Sequence, residues 1–231
     1  RNGKRYLIGC HRLECIIPLP PMQRLRLTDP NHPLFATAWR LYKESFPVDE
    51  RRRLSSQRRI LLRPAYHFDV VIDHSYFIAI LLWWEFENLR YVEHLAVVPT
   101  LRGMQHGERI LRRFLSESDT PVWLEVELPK DELRQRRIDF YRRVGFVLNH
   151  HSYLQPAYEK STSPVPLLVM THPTAVTESD VRFFSLTYHP LLTDYSKHRE
   201  RPIKPRYPRF LPFGPRRSRT TAEKDQSAPA D

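Results

Sequence analysis

Between residues 66 and 98 the chain contains three runs of mostly apolar residues. The runs are Tyr66 to Ile72, Tyr76 to Phe86 and Leu89 to Val98, and the turn-forming pairs Asp73-His74 and Glu87-Asn88 separate them. Runs of this length, rich in aromatic and β-branched residues and bounded by turn formers, are typical of strands. The pattern therefore predicts an antiparallel meander of three strands.

The spacing of apolar residues also predicts the elements on either side of the meander. Before it, we expect a strand at Arg24 to Thr28, a helix whose apolar side carries Phe35, Trp39, Leu41, Tyr42 and Phe46, and a strongly basic second helix over residues 49–62. After it, we expect a helix after Gly103 as far as residue 117, a strand at Pro121 to Leu128, a helix at Asp131 to Val144 that Gly145 ends, strands at Phe146 to Leu154 and Pro166 to Met170, and a short helix over residues 177–189. The order is that of a mixed α/β domain.

Residues 89–115 stand out because they predict a strand, a basic turn and an amphipathic helix in succession. Strict alternation would place Tyr91, Glu93, Leu95 and Val97 on one side of the strand, with His94 on the other. Pro99 ends the strand, Arg102 and Gly103 open the turn, Gly107 falls in the first turn of the helix, and Ile110, Leu111, Phe114 and Leu115 follow at helical spacing. Free amides at such a helix start, together with the positive end of the helix dipole, form a seat for a phosphate group.

The net charge of +11 is concentrated at the ends of the chain. Residues 1–21 carry +3 (four Arg or Lys against one Glu), residues 191–231 carry +5 (ten against five), and residues 22–190 carry the remaining +3. A basic binding face on the folded part does not follow from this distribution, so nucleic acid is disfavoured as a partner.

The ends of the chain also differ from the middle in character. We expect residues 1–21 to lie outside the fold, as an upstream extension or a consequence of the assigned start, and residues 22–190 to form one domain. Residues 191–231 are rich in Pro and Arg and are expected to form a disordered tail. The only cysteines are Cys10 and Cys15, which favours a reducing, cytoplasmic location. The longest apolar run has nine residues, too short to span a membrane, and no metal-ligand spacing is present.

Three segments in sequence resemble the GNAT superfamily of acetyl-CoA-dependent N-acetyltransferases. They are the Arg-x-x-Gly-x-Gly-like turn at residues 102–107, Leu-Glu-Val at residues 124–126 and Phe-Tyr-Arg-Arg-Val-Gly-Phe at residues 140–146. The segments EHLAVVPTLRG (residues 93–103), RRIDFYRRVGF (residues 136–146) and YLQPAY (residues 153–158) also resemble an uncharacterised bacterial subgroup of that superfamily. The resemblance spans roughly residues 23–172, and it implies a mostly antiparallel mixed sheet that parts between its fourth and fifth strands and is flanked by helices.

The resemblance also implies how acetyl-CoA, the co-substrate, is held. The residues implied are Leu95, Ala96 and Val97 for the pantetheine arm, and Arg102, Gly103, Met104, Gln105, His106 and Gly107 for the diphosphate. Gln105 departs from the family pattern, which has glycine at that position. A glutamine is compatible with phosphate binding if its φ is negative, as in a helical turn; the other interpretation is a domain that has lost its cofactor.

Acetyl transfer to an amine also needs a base and an acid. The carboxylates considered as bases are Glu93, Glu125 and Glu127, and we expect Glu125 and Glu93 to act together, since Glu125 resembles the base of the family's ribosomal-protein acetyltransferases. The alternative is that these carboxylates pair with an arginine such as Arg137. Tyr141 is expected to protonate the departing thiolate, as the family's tyrosine does; the alternative is a core tyrosine.

Two functions stay open at this point. The first is an N-acetyltransferase acting on a primary amine of a small molecule or a protein. The second is a weakly active or inactive module with the same fold that binds CoA. The basic segment 49–62 is either a solvated face or part of the acceptor groove, and whether the chain forms a homodimer is left open.

Overall fold

The computed structural model describes residues 22–155, 157 and 164–193 as a mixed α/β fold. Within these residues the strands are β1 (Gln23–Arg26), β2 (Tyr66–Asp73), β3 (Tyr76–Glu85), β4 (Arg90–Val97), β5 (Val122–Glu127), β6 (Val147–Gln155) and β7 (Val165–His172). The helices are α1 (Phe35–Ser45), α2 (Leu54–Ile60), α3 (His106–Ser116), α4 (Glu132–Val144), α5 (Glu178–Thr187) and α6 (His189–Thr193). Short 3-10 turns precede α2, at Val48–Glu50, and α3, at Pro99–Leu101. The element order predicted from the sequence is confirmed.

All seven of these strands form one sheet in the order β1-β2-β3-β4-β5-β7-β6. Every neighbouring pair is antiparallel except β4 and β5, which are parallel. That parallel pairing covers only Arg90 to Val92 against Val122 to Leu124. Beyond these three pairs the strands separate, so the predicted split between the fourth and fifth strands is confirmed.

A β-bulge at Glu93 changes which residues of β4 share a face. Leu82 of β3 pairs with His94 and Trp83 pairs with Val92, so Glu93 is the extra residue. Tyr91 and Ala96 consequently belong to the core on one side of the sheet, while Val92, Leu95 and Val97 pack with the core on the other side. The expectation that Tyr91, Glu93, Leu95 and Val97 share one side is therefore wrong, because strict alternation holds only in a strand without an inserted residue.

The sheet separates two hydrophobic cores. The first packs side chains of α1, α2, α5 and α6 against the sheet, including Tyr42, Ile60 and Phe184. The second packs α3 and α4 on the opposite face, including Phe114 and Ile138. Each amphipathic helix thus buries one apolar face, which is the arrangement that a layered α/β fold requires.

Glu93 forms a fully buried ion pair with Arg52, a residue just before α2. Both side chains are excluded from solvent, and both guanidinium nitrogens donate to the carboxylate, with Nη1 lying 2.6 Å from Oε2. The indole of Trp84 donates to the same carboxylate at 3.3 Å, and Arg52 also donates to the carbonyl of Leu192 at 3.3 Å. Two buried charges are tolerated here because each is paired and hydrogen-bonded.

The predicted basic helix over residues 49–62 is shorter than expected. Helix α2 begins at Leu54, and the residues between it and the preceding 3-10 turn are extended. Arg52 is buried, as are Ser56, Gln57 and Ile60, so a solvated face describes only part of this segment. The density of charged residues predicted a helix from residue 49 onward. The helix begins later because Arg52 lies in an extended stretch, where it pairs with the buried carboxylate of Glu93.

At the C-terminal side, α6 packs Leu192 into the first core. The predicted domain boundary between residues 190 and 191 falls inside this helix. The expectations for residues 1–21 and for residues 194–231 lie outside the described residues. Among the residues that are described, no helix is both long enough and apolar enough to cross a bilayer.

The Arg52–Glu93 pair predicts a large loss of stability for Glu93→Gln. Removing one charge leaves the other buried without its counter-charge, so the free energy of unfolding should fall by about 3–5 kcal/mol in urea or guanidinium titrations. The control is Glu132→Gln, which breaks an exposed pair with Arg136 and should cost less than about 1 kcal/mol. Equal losses in the two variants would contradict a special role for the buried pair.

Candidate active site

A cavity of about 530 Å³ opens where β4 and β5 separate. Its lining includes Glu93, Glu125 and Tyr141, the three residues predicted to be catalytic. It also includes eight of the nine residues predicted to bind the cofactor, namely Leu95, Ala96, Val97, Arg102, Gly103, Gln105, His106 and Gly107. Met104 is absent from the lining and is 60% exposed. The structure therefore brings the predicted residues together around one cavity, whatever their individual roles.

Beyond Val92, the edge of β4 that faces this cavity pairs with no other strand among the described residues. Val98 donates its amide to Ile78 of β3 at 2.9 Å. Because amides along a strand point alternately to its two edges, those of Leu95 and Val97 point away from β3 and toward the split. The carbonyl of Val97 accepts a bond from Nε of Arg102 at 3.1 Å. A backbone edge inside the fold is thus available to an extended ligand.

The turn after β4 contains two residues in the left-handed region of backbone conformation. Gly103 has φ +81° and Gln105, the N-cap of α3, has φ +60° and ψ +7°. The condition considered for a glutamine at this position, a negative φ, is therefore not met. A left-handed L-residue costs roughly 1–2 kcal/mol, but the backbone conformation open to glycine is kept. The side chain of Gln105 is exposed. The backbone carbonyl of Gln105 accepts a hydrogen bond from the amide of Arg109 at 3.0 Å, so the first turn of α3 is regular.

Several polar groups at this turn have no partner within the described part of the chain. The amides of Gly103, Met104 and Gln105 donate to no backbone carbonyl there, and those of His106 and Gly107 begin α3, where no preceding helical turn supplies an acceptor. The Nδ1 atom of His106 is buried and also without a partner in this part of the chain. Clustered donors at a helix start suit an anion, and these residues fit a diphosphate group.

Glu125 lies on β5 at the point of separation and is almost completely buried. Tyr153 and Gln155 of β6 both donate hydrogen bonds to its carboxylate, and the hydroxyl of Tyr91 is a third partner. Burial raises the pKa of Glu125 to about 7, although the hydrogen bonds from these tyrosines oppose the rise. A carboxylate with this pKa exchanges a proton readily near neutral pH.

Tyr141 reaches the cavity from α4. Its ring packs against Phe140 and Phe146, with centroids 5.0 and 5.8 Å apart. Burial raises the pKa of the Tyr141 hydroxyl above its usual value, and the charge of Arg137 only partly offsets this. The hydroxyl therefore keeps its proton at neutral pH, as a proton donor must.

Other carboxylates near the cavity are neutralised by arginines. The carboxylate of Glu93 is held by Arg52, which argues against its predicted role as a base. Glu127 pairs with Arg134 at 3.0 Å and also with Arg137. The predicted alternative, pairing with an arginine, therefore applies to Glu93, whose partner is Arg52. Among the residues that the structure describes, no arginine forms an ion pair with Glu125. Arg134 bonds to both Glu127 and Asp131.

His94 is buried on the side of α1, where its ring packs against Tyr42 and Phe46 at 5.0 and 4.3 Å. Its Nε2 lies 2.9 Å from the carbonyl oxygen of Glu50, and burial lowers the pKa of His94 to about 4. His94 is therefore a neutral histidine that packs between aromatic rings of the core.

Sequence reasoning missed two contributions to the site. Glu50, in the 3-10 turn before α2, lines the cavity, and burial followed by the charge of Glu127 raises its pKa. In the sequence, the only indication of a role for Glu50 was its position in residues 49–62, the segment considered for the acceptor groove. Tyr153 and His189 lie behind Glu125. Tyr153 begins the segment YLQPAY, which resembles the bacterial subgroup, but nothing in the sequence assigned a role to either residue.

Comparison with known proteins identifies the family. The chain is similar to a solved structure of a protein assigned to the GNAT family of acetyltransferases from Bacteroides thetaiotaomicron, with 31% identity, a TM-score of 0.70, and coverage of 74% of this chain and 98% of that one. It shares its fold with a chimera of a spermidine N-acetyltransferase from Vibrio cholerae and hSSAT (15% identity, TM-score 0.51, 71% of this chain and 99% of that one). It also shares its fold with an aminoglycoside 6'-N-acetyltransferase complexed with coenzyme A (14% identity, TM-score 0.50, 67% and 99%).

No protein-family model and no curated protein sequence matches the chain, so the assignment depends on structure and on identity to one solved relative. That relative is matched along nearly its whole length. With the fold, the split sheet and the turn at residues 102–107 in agreement, the chain belongs to the GNAT family of N-acetyltransferases.

Proposed function

We propose that this protein transfers the acetyl group of acetyl-CoA to a primary amine by direct attack within a ternary complex. One observation carries the proposal: four kinds of group lie around one cavity. They are the amides of residues 103–107, which have no backbone partner among the described residues, the amides of Leu95 and Val97 on the edge of β4, the buried side chain of Glu125, and Tyr141. Acetyl transfer from a thioester requires a group of each of these kinds.

The first task is to hold the co-substrate. In the proposal, the amides at residues 103–107 and the side chain of His106 bind the diphosphate, and Arg102 adds positive charge nearby. The amides of Leu95 and Val97 pair with the pantetheine arm, as an added strand would. An amide of this edge also polarises the thioester carbonyl, because a fixed donor stabilises the negative charge that develops on its oxygen.

The second task is to move two protons. Glu125 takes a proton from the acceptor ammonium, which frees the nitrogen lone pair to attack the carbonyl carbon. The new carbon–nitrogen bond forms, the carbon–sulfur bond breaks, and Tyr141 donates its proton to the departing thiolate. The nitrogen then releases its second proton, which replaces the one that Tyr141 donated, so the products are the amide and the free thiol of CoA. A base with a pKa of about 7 is matched to this work near neutral pH, since it is deprotonated often enough and still binds a proton.

The third task is to select the acceptor, and Glu50 supports a cationic one. Its carboxylate lines the cavity, and unlike Glu93 and Glu127 it has no ion-pair partner within the described residues. A partly buried carboxylate of this kind gains a favourable partner when an ammonium group binds next to it. We therefore assign the acceptor to amines that carry a second positive charge.

Thiol release from acetyl-CoA, measured with a panel of mono- and diamines, tests the proposal. The wild-type protein should release CoA only when an amine is present. Glu125→Gln should lower kcat/KM by at least ~100-fold because the base is lost, and Tyr141→Phe should lower it by a similar factor, since general acid and base groups typically contribute 10²–10⁴. In the control Glu127→Gln, on the same strand as Glu125, kcat/KM should fall by less than about tenfold.

Two outcomes would contradict the proposal. CoA binding by calorimetry without release for any amine would favour the alternative, a binding module. Full activity in Tyr141→Phe would remove the assigned acid.

The turn at residues 103–105 predicts opposite effects for two substitutions. Gly103→Ala places a Cβ in open space but at φ +81°, so its cost of roughly 1–2 kcal/mol is purely conformational and should weaken CoA binding about tenfold. Gln105→Gly removes the same kind of strain and should bind CoA at least as tightly as the wild type. Titration calorimetry checks both, and tighter binding by Gly103→Ala would contradict the role of the turn.

Glu50→Gln tests the choice of acceptor. Loss of the charge should raise KM for a diamine about tenfold, because a hydrogen bond to a charged group contributes roughly 1.5–3 kcal/mol. KM for a monoamine of equal length should change little. The matched control is Asp49→Asn, which removes a charge from the neighbouring exposed residue outside the cavity lining. A uniform change for both amines would exclude Glu50 as the selecting residue.

A further inference from the structure

A chain of hydrogen bonds runs from Glu125 away from the cavity to helix α6. The hydroxyl of Tyr153 donates to Oε1 of Glu125, and the same hydroxyl lies within hydrogen-bond distance of Nε2 of His189. Nε2 of His189 is 4.0 Å from Oε1 of Glu125, so the tyrosine oxygen is the link between them. Tyr153 and His189 are both buried.

The ring of His189 is fixed by packing as well as by this bond. Its centroid lies 5.2 Å from that of Tyr153 and 5.4 Å from that of Phe184, both at steep angles. Since the hydroxyl of Tyr153 has one proton and gives it to Glu125, the histidine must donate Nε2–H to the tyrosine oxygen in this state. The three groups are thus complementary when Glu125 is ionised.

The same three groups are complementary when Glu125 is protonated. The carboxyl proton is then donated to the oxygen of Tyr153, and the tyrosine proton turns toward Nε2 of His189. The imidazole changes tautomer by proton exchange with water, since Nε2 loses its proton and Nδ1 gains one, and the ring stays neutral. The carboxyl group, the phenol and Nε2 therefore each keep a partner in both states. Such reversal avoids an unsatisfied buried donor or acceptor, which would be costly.

We propose that Tyr153 and His189 are positioning residues whose hydrogen-bond chain reverses direction when Glu125 gains or loses its proton, so that α6 sets the proton affinity of the base. This inference rests on the proposed function, since it takes Glu125 to be the base. It also makes α6, which lies beyond the segments that identify the family, a working part of the site.

The surroundings of Glu125 agree with a proton that stays on this carboxylate. Titratable and charged groups face it from β4 (Tyr91 and Glu93, with Arg52 beyond Glu93), β6 (Tyr153) and α6 (His189), and the cavity lining adds Glu127, Arg137 and Tyr141. Burial lowers the pKa of His189 to about 4 while it raises the pKa of Glu125 to about 7. His189 is therefore a neutral partner and does not store the proton.

The test compares the pH dependence of kcat/KM in the wild type, Tyr153→Phe and His189→Gln. In the wild type, activity should rise through about pH 7 as Glu125 loses its proton. Tyr153→Phe removes a hydrogen bond that favours the ionised carboxylate, so the rise should move up by at least about half a pH unit. His189→Gln keeps a polar group of similar size, so the pH at which kcat/KM rises should move in the same direction but by a smaller amount.

Tyr66→Phe is the matched control. It also deletes a buried tyrosine hydroxyl, one that accepts a bond from Gln57 at 2.9 Å, but no contact between Tyr66 and Glu125 is present in the described residues. Its profile should coincide with that of the wild type. Thermal melting by circular dichroism establishes that each variant is folded. An unshifted profile in folded Tyr153→Phe would overturn the inference.

An infrared titration of the protein without substrate separates this inference from the proposed function. The carboxyl band that disappears in Glu125→Gln should titrate near pH 7 in the wild type and at higher pH in Tyr153→Phe. If no amine is acetylated but this band shifts, the proposed function fails and the coupling of Glu125 to α6 stands. If amines are acetylated and the band does not shift, the coupling fails and the function stands.

Discussion

Strands β4 and β5 are paired through only three residue pairs and then separate. Most of the chemistry that the site can perform depends on this separation. If the parallel pairing continued, the amides of Leu95 and Val97 would be bonded to β5. No cavity would then open next to Glu125. Because the strands separate, backbone donors, a carboxylate and a phenol all face one cavity. The bulge at Glu93 lies directly beyond the last paired residue, Val92, and the bulge changes the direction of the residues that follow.

The carboxylates around the cavity differ in how their charge is stabilised. Glu93 faces a guanidinium in a buried ion pair, and Glu127 faces two arginines at a more exposed position. Within the part of the chain that the structure describes, Glu125 pairs with no arginine, and its hydrogen bonds come from the neutral side chains of Tyr153, Gln155 and Tyr91. Neutral donors satisfy the oxygens without imposing a positive charge, so burial dominates and the proton affinity stays high. This difference distinguishes Glu125, whose pKa burial raises to about 7, from two carboxylates that are paired with arginines.

The elements of the fold could be predicted from the sequence because apolar periodicity reports burial directly, as in the runs from Tyr66 to Val98. The bulge could not be predicted, since Glu93 has no glycine or proline beside it and the extra residue is visible only in the pairing with β3. The conformation of Gln105 was equally hidden, because local energetics disfavour a positive φ for glutamine. The partners of Glu125 lie 28 residues away at Tyr153 and a further 36 at His189, contacts that no local pattern encodes.

Gln105 has a consequence for how this site could have arisen and how it is recognised. The strain of a left-handed glutamine is comparable to the contribution of a single ordinary hydrogen bond, roughly 1 kcal/mol, so a folded domain can absorb it. A sequence signature written with glycine at this position would pass over the chain, although Gln105 keeps a left-handed backbone that glycine adopts freely. In this loop the backbone dihedral angles keep the form that glycine adopts, although the residue is a glutamine.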